Sequence, residues 1–199
     1  MLAFYGAARI HSAITFRAAV RSLKEPRPAE AAKIPETAAA LPDDSSPAAD
    51  QSLWSEERIK AYQRSTIRQT GTPLALLRIP KLRLEVPILE GTDAVTLNSG
   101  VGRIAGTALP GQRGNIGIAG HRDGFFRSLK DINNGDAILL ITGEHTDTYI
   151  VDKIHITSPH DVSVLRPSVH SELTLVTCYP FYFFGPAPKR FIVQASLKQ

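Results

Sequence analysis

From Leu74 onward the chain breaks into short apolar runs separated by Gly, Pro, Asn and Asp. No other feature constrains the fold as much. Runs this short and this rich in Val, Ile, Leu, Thr and aromatics have the length and composition of β-strands. They fall at Leu74 to Ile79, Leu84 to Leu89, Ile116 to Ala119, Ala137 to Thr142, Tyr149 to Thr157, Leu173 to Cys178 and Arg190 to Ala195. Asn133-Asn134-Gly135-Asp136 is a strong turn signal, and Phe125 to Ile132 reads as a short helix capped by Asp123. Helices do not alternate with the strands and no repeat is present. The expected class is therefore all-β, a closed or nearly closed antiparallel barrel occupying residues 73–199.

The first part of the chain is built differently. Residues 1–21 begin with the apolar stretch MLAFYGAA, which Arg9, His11 and Arg17 then interrupt. A membrane-spanning helix needs roughly 20 mostly apolar residues, so this stretch does not span as written. Two readings stay open: an amphipathic or disordered terminus, or the tail of a longer transmembrane helix. Residues 22–53 carry Pro26, Pro28, Pro35, Pro42 and Pro47 among many alanines and read as a linker. Residues 54–72 read as an amphipathic helix packing on the barrel. Ser55 can cap it, Glu56 and Glu57 suit its first turn, Trp54, Ile59, Tyr62 and Ile67 recur at near-helical spacing, and Gly71 and Pro73 end it.

Charge narrows the partners. The net charge is +4, and the 23 Lys and Arg residues are scattered among 19 acids without a run of five like charges. A nucleic-acid footprint is not supported. Glu144, Asp147 and Asp152 read as solvated acids rather than a calcium cluster, so no metal and no cofactor is expected. The chain holds one cysteine, which excludes an internal disulfide framework and CxxC metal or redox sites.

That cysteine, Cys178, ends the run Leu173-Thr174-Leu175-Val176-Thr177-Cys178. Alternation puts Leu173, Leu175 and Thr177 on one face, and Thr174, Val176 and Cys178 on the other. Pro180 cannot donate to a ladder, so the strand should stop there and leave the thiol at a strand end beside a loop. Of the six histidines, only His121 combines a strand terminus with flanking glycines, Gly117 and Gly120. His155 falls in an alternating run, on a solvated strand face. Arg190 opens the last strand. If that strand forms a hairpin with its predecessor, the Arg190 guanidinium faces Cys178, where it could lower the thiol pKa from about 8.5 and hold a developing oxyanion. A thiolate, an imidazole and a fixed cation, distant along the chain, make up the set that nucleophilic acyl transfer needs. The aromatics Tyr179, Phe181, Tyr182, Phe183 and Phe184 follow the thiol and could line an apolar groove, with one or two rings touching substrate.

These residues resemble a known family. Thr174 to Cys178, TLVTC, resembles the TLxTC motif of sortases, and the longer run TLVTCYPFYFFGPAPKRFIVQA resembles the class D branch. GNIGIAGHRDGFF, Gly114 to Phe126, is similar to the segment carrying that family's histidine, and LRIPKLRLEVPILEGT to its first two strands. The similarity covers roughly Arg58 to Ala195. It implies an eight-stranded barrel and a cysteine transpeptidase that cleaves an LPxTG-like C-terminal sorting signal after its threonine. The resulting thioacyl enzyme would pass the acyl group to an amine, of a cell-wall precursor or a pilin lysine. Cys178, His121 and Arg190 fall on the catalytic positions, and Thr177 on one that helps form the oxyanion hole. Tyr179 and Phe181 are taken as further substrate-binding residues. The resemblance also implies attachment to the cell membrane through the N-terminus, with the barrel on the extracytoplasmic side. A thiol peptidase using water, or a barrel that binds peptide without cleaving it, remain as alternatives.

Overall fold

A computed structural model describes residues 51–65, 72–143, 145–183 and 185–198. The apolar start, most of the proline-rich linker and residues 66–71 lie outside these. Among the described residues no helix is long and apolar enough to cross a membrane.

Eight strands close into a barrel in the order β1-β2-β3-β4-β7-β8-β6-β5. They are β1 (Ala75–Ile79), β2 (Leu84–Glu90), β3 (Val101–Arg103), β4 (Asn115–Gly120), β5 (Ala137–Ile141), β6 (Thr146–Thr157), β7 (Glu172–Tyr179) and β8 (Lys189–Leu197). A barrel of this size has room only for side chains inside. Ile88, Ile116, Ile118, Ile138, Leu140, Leu173, Leu175 and Val193 are all fully buried in its core. Each contributes roughly 1.5–3 kcal/mol relative to leaving it in water. The Asn133–Asp136 turn forms as expected: Gly135 has φ +87°, and the Asp136 amide donates to the Asn133 carbonyl over 3.2 Å.

Three expectations change. The barrel is mixed, because β2 pairs with β3 and β4 with β7 in parallel. β3 was not foreseen: at three residues, with Gly102 in its middle, it has no alternation to read. It depends on close approach, since a Cβ on Gly102 would lie 1.9 Å from the Gly91 carbonyl oxygen. Finally, Phe125–Asp131 is a 3-10 helix without a side-chain cap, and Asp123 is engaged elsewhere.

Two α-helices lie outside the barrel. Helix α1 (Glu56–Ser65) is capped by Ser55, whose hydroxyl accepts from the Arg58 amide at 3.2 Å. Its Tyr62 is 2% exposed and meets Trp54 and Phe125 edge to face, with centroids 5.4 and 5.8 Å away. This aromatic cluster docks α1 on the 3-10 helix that follows His121. Helix α2 (Ala94–Ser99) is capped by the Asp93 carboxylate.

Candidate active site

The site is a consequence of register. In the parallel pair, Gly120 of β4 stands beside Thr177 of β7. One residue further along each strand come His121 and Cys178, 57 positions apart in sequence but neighbours at the same rim. In the antiparallel pair, Cys178 is the direct partner of Arg190. By register, His121, Cys178 and Arg190 thus fall on one line across three adjacent strand ends. The Thr177 hydroxyl fixes that line by donating to the Gly120 carbonyl at 2.8 Å. Thr177 is 2% exposed, so its hydroxyl braces the two strand ends rather than facing outward.

Alternation decides which way the thiol points. Leu173, Leu175 and Thr177 enter the core, which turns Cys178 and Val176 to the outer face, where both are half-buried. The same outer rows carry Ala119 and Gly117 on β4 and Ile192 on β8. The connections before β4 and before β7 fold over the far end of this face. A Cβ on Gly117 would lie 2.9 Å from both Leu165 Cδ2 and Thr107 Cγ2. The cover is pinned by Asn115, whose side-chain amide donates to the Val164 and Arg166 carbonyls at 3.0 and 3.2 Å. Thr174 donates to the Asn115 Oδ1 at 2.9 Å. Ile192 is covered, at 1% exposure, and the apolar side chains left partly open beside the thiol are Val176 and Ala119.

Around His121 the contacts are dense. Its carbonyl accepts from the amides of Gly124 and Phe126 at 3.1 and 3.2 Å. Gly120 makes room for this turn, since a Cβ there would sit 2.6 Å from the Phe126 ring. Burial first, and then the nearby Arg58 cation, bring the His121 imidazole down to about 4, with Asp123 partly opposing both. The ring is therefore uncharged at neutral pH. Arg58 donates from Nε to Asp123 Oδ1 at 3.1 Å. Arg122 and Arg127, which the sequence reading passed over, hold the loop after Cys178. Arg122 donates to the carbonyls of Pro180, Phe183 and Gly185 at 3.2, 2.8 and 3.0 Å. Arg127 donates to the Phe181 carbonyl and lies 4.5 Å over the Tyr182 ring. The signal was the arginine spacing of HRDGFFR directly behind the histidine.

Among the described residues, Arg190 is tied only to its own turn, donating to the Ala187 and Lys189 carbonyls at 3.3 and 3.0 Å. Among the described residues it forms no ion pair. Tyr179 is half-buried, its ring stacked 6.3 Å from Phe191. Phe181, expected to line the groove, is 7% exposed and belongs to the core, with Phe191 at 5.1 Å. Among the described rings of the loop, Tyr182 and Phe183 are open, at 72% and 44% exposure. His155 is half-buried rather than solvated, and burial lowers its pKa. Asp147 is likewise paired, accepting from His145 at 3.2 Å. Glu144 lies outside the described residues. Among those described, no cluster of three or more His, Cys, Asp or Glu is placed to hold a metal ion.

A closed eight-stranded barrel with these three side chains on one rim defines a class. The chain belongs to the sortase family, whose model, described as a Sortase domain, matches residues 77–198. Within that family its likeness runs to class D. It is 40% identical over 126 residues to Sortase D of Bacillus subtilis (strain 168), covering 63% of this chain and 64% of that protein. It is 38% identical over 134 residues to Sortase SrtE1 of Streptomyces coelicolor, covering 56% and 37%. The chain thus spans less than two thirds of either relative. Among solved structures, a Sortase D5 transpeptidase of Clostridium perfringens superposes with a TM-score of 0.60 at 30% identity, covering 73% of this chain and 90% of that one.

Proposed function

We propose that this barrel is a cysteine transpeptidase acting on proteins with an LPxTG-like C-terminal sorting signal. The observation that carries the reading is the shared register of His121, Cys178 and Arg190. The Cys178 sulfur attacks the carbonyl carbon of the signal's threonine as its proton passes to the uncharged His121 ring. Arg190, with backbone N–H groups at the rim, stabilises the oxyanion. His121 then protonates the departing amine, the peptide C–N bond breaks, and the acyl group remains on sulfur as a thioester. An incoming amine attacks that thioester, gives its proton to His121 and releases the thiolate. The half-buried Val176 and Ala119 beside the thiol suit the Leu-Pro part of such a signal. Cell-wall precursors or pilin lysines are the acceptors the family suggests. Membrane attachment through the N-terminus, with the barrel on the extracytoplasmic side, belongs to the same proposal and rests on the family and the MLAFYGAA run.

The test is incubation with an LPxTG peptide and excess amine, read by mass spectrometry. Expected are the aminolysis product and a thioacyl adduct on Cys178. Hydrolysed peptide alone, at every amine concentration, would replace transfer by water-dependent cleavage. Slow alkylation of Cys178, insensitive to loss of His121, would leave only a peptide-binding barrel.

A further inference from the structure

A residue outside the matched Sortase domain, Arg58 of helix α1, bonds the turn after His121 through Asp123. Arg58 reaches both oxygens of Asp123, from Nε to Oδ1 at 3.1 Å and from an Nη to Oδ2 at 3.4 Å. Its other Nη donates to Asn98 Oδ1 on α2. Ser55, the α1 cap, adds a bond to Asp123 Oδ2 at 3.5 Å. The Arg58 side chain is 18% exposed, and its Cδ stands 3.4 Å from where a Cβ on Gly124 would be. One planar fork thus joins two helices to the turn after His121, a geometry that an ammonium does not reproduce.

We propose that Arg58 is a positioning residue for His121, holding the 121–124 turn from α1 and occupying the Asp123 carboxylate that would otherwise be free to pair with the imidazole. The proposal rests on the acid/base role given to His121 above. A carboxylate two residues from the ring, left unengaged, would favour the imidazolium and weaken it as a proton donor to the leaving amine. Arg58 removes that option and adds its own positive charge, in the direction already noted for the ring. The other cations nearby do not substitute. Arg122 is turned to the carbonyls after Cys178, and Arg190 stands beyond the thiol.

The experiment compares wild type, Arg58→Met, Arg58→Lys and Arg58→Met/Asp123→Asn. NMR follows the His121 titration and Gly124 amide exchange, and a pH profile of kcat/KM is recorded for each. In Arg58→Met the His121 titration and the acid limb of the profile should move to higher pH. Gly124 should exchange faster, because its bond to the His121 carbonyl loosens, and kcat/KM should fall about tenfold, as for a displaced reacting group. The double variant should return the titration towards wild type while Gly124 exchange stays fast. Arg58→Lys keeps the charge and serves if Arg58→Met does not fold. It should titrate like wild type, with faster Gly124 exchange and a several-fold lower kcat. A His121 titration and Gly124 exchange unchanged in folded Arg58→Met, or wild-type kcat and exchange in Arg58→Lys, would overturn the proposal. Full turnover in His121→Ala would instead remove the role of His121, whatever the Arg58 variants do.

Discussion

The two flanks of Cys178 are built to opposite specifications. On the β4 side, the His121 turn is held by its own amides, by Phe126 packed against Gly120, and by Arg58 through Asp123. On the β8 side, Arg190 bonds, among the described residues, only two carbonyls within its own turn. In the proposed mechanism the held side carries the group that takes and returns a proton along a set direction. The loose side carries the cation proposed to meet an oxyanion arriving with the substrate. Local order is concentrated where the reacting partner is already present, and left low where it has yet to come.

The largest effect expected at this boundary is from Cys178→Ala. It should reduce turnover below detection while the thermal transition stays within a few degrees of wild type, since a half-buried sulfur at a strand end contributes little to the core. Residual thioester formation in that variant would show the nucleophile to be elsewhere. Next comes Arg190→Lys. A point charge cannot reproduce the planar fork, and loss on the order of 10²-fold in kcat is expected from single oxyanion donors. Near-normal kcat there would mean the loose flank supplies only charge. Arg122→Gln probes the bridge between the flanks by freeing three carbonyls of the loop after Cys178. Peptide KM should rise several-fold, with kcat changing less. A kcat defect without a KM change would place Arg122 with the reacting groups instead.

The smallest effect is on stability. An unfolded histidine takes up its proton near pH 6.5, whereas folded His121 does so near 4. The folded state therefore loses stability as pH falls from about 6.5 through 4, and keeps it in full above that window. His121→Gln should remove on the order of 1 kcal/mol of this dependence, allowing for the ring's partial exposure. Matched denaturant titrations at pH 7 and pH 4.5 measure it. Identical pH dependence in the two proteins would mean that the held flank is wetter than its geometry implies.

The ladder positions of Cys178 and Arg190 were legible because a hairpin between consecutive strands is a local inference. His121 was legible as a strand end with small neighbours. That β4 runs parallel to β7 was not, since nothing in either segment names a partner more than fifty residues away. Phe181 misled because aromatic runs look alike on paper. Only packing shows that Phe181 turns inward while Tyr182 and Phe183 stay open. Asp123 misled too, its position before an apolar run suggesting a cap, whereas a guanidinium from another helix had the better claim on it.

The parallel seam between β4 and β7 also sets a timetable. During synthesis the histidine is made long before the cysteine, and the cysteine before the strand that carries the arginine. A nascent chain that stops before β8 holds a thiol with no guanidinium opposite it. In the proposed mechanism acyl transfer therefore waits for β8 to dock against β7, and is expected to be the first property lost when that hairpin frays.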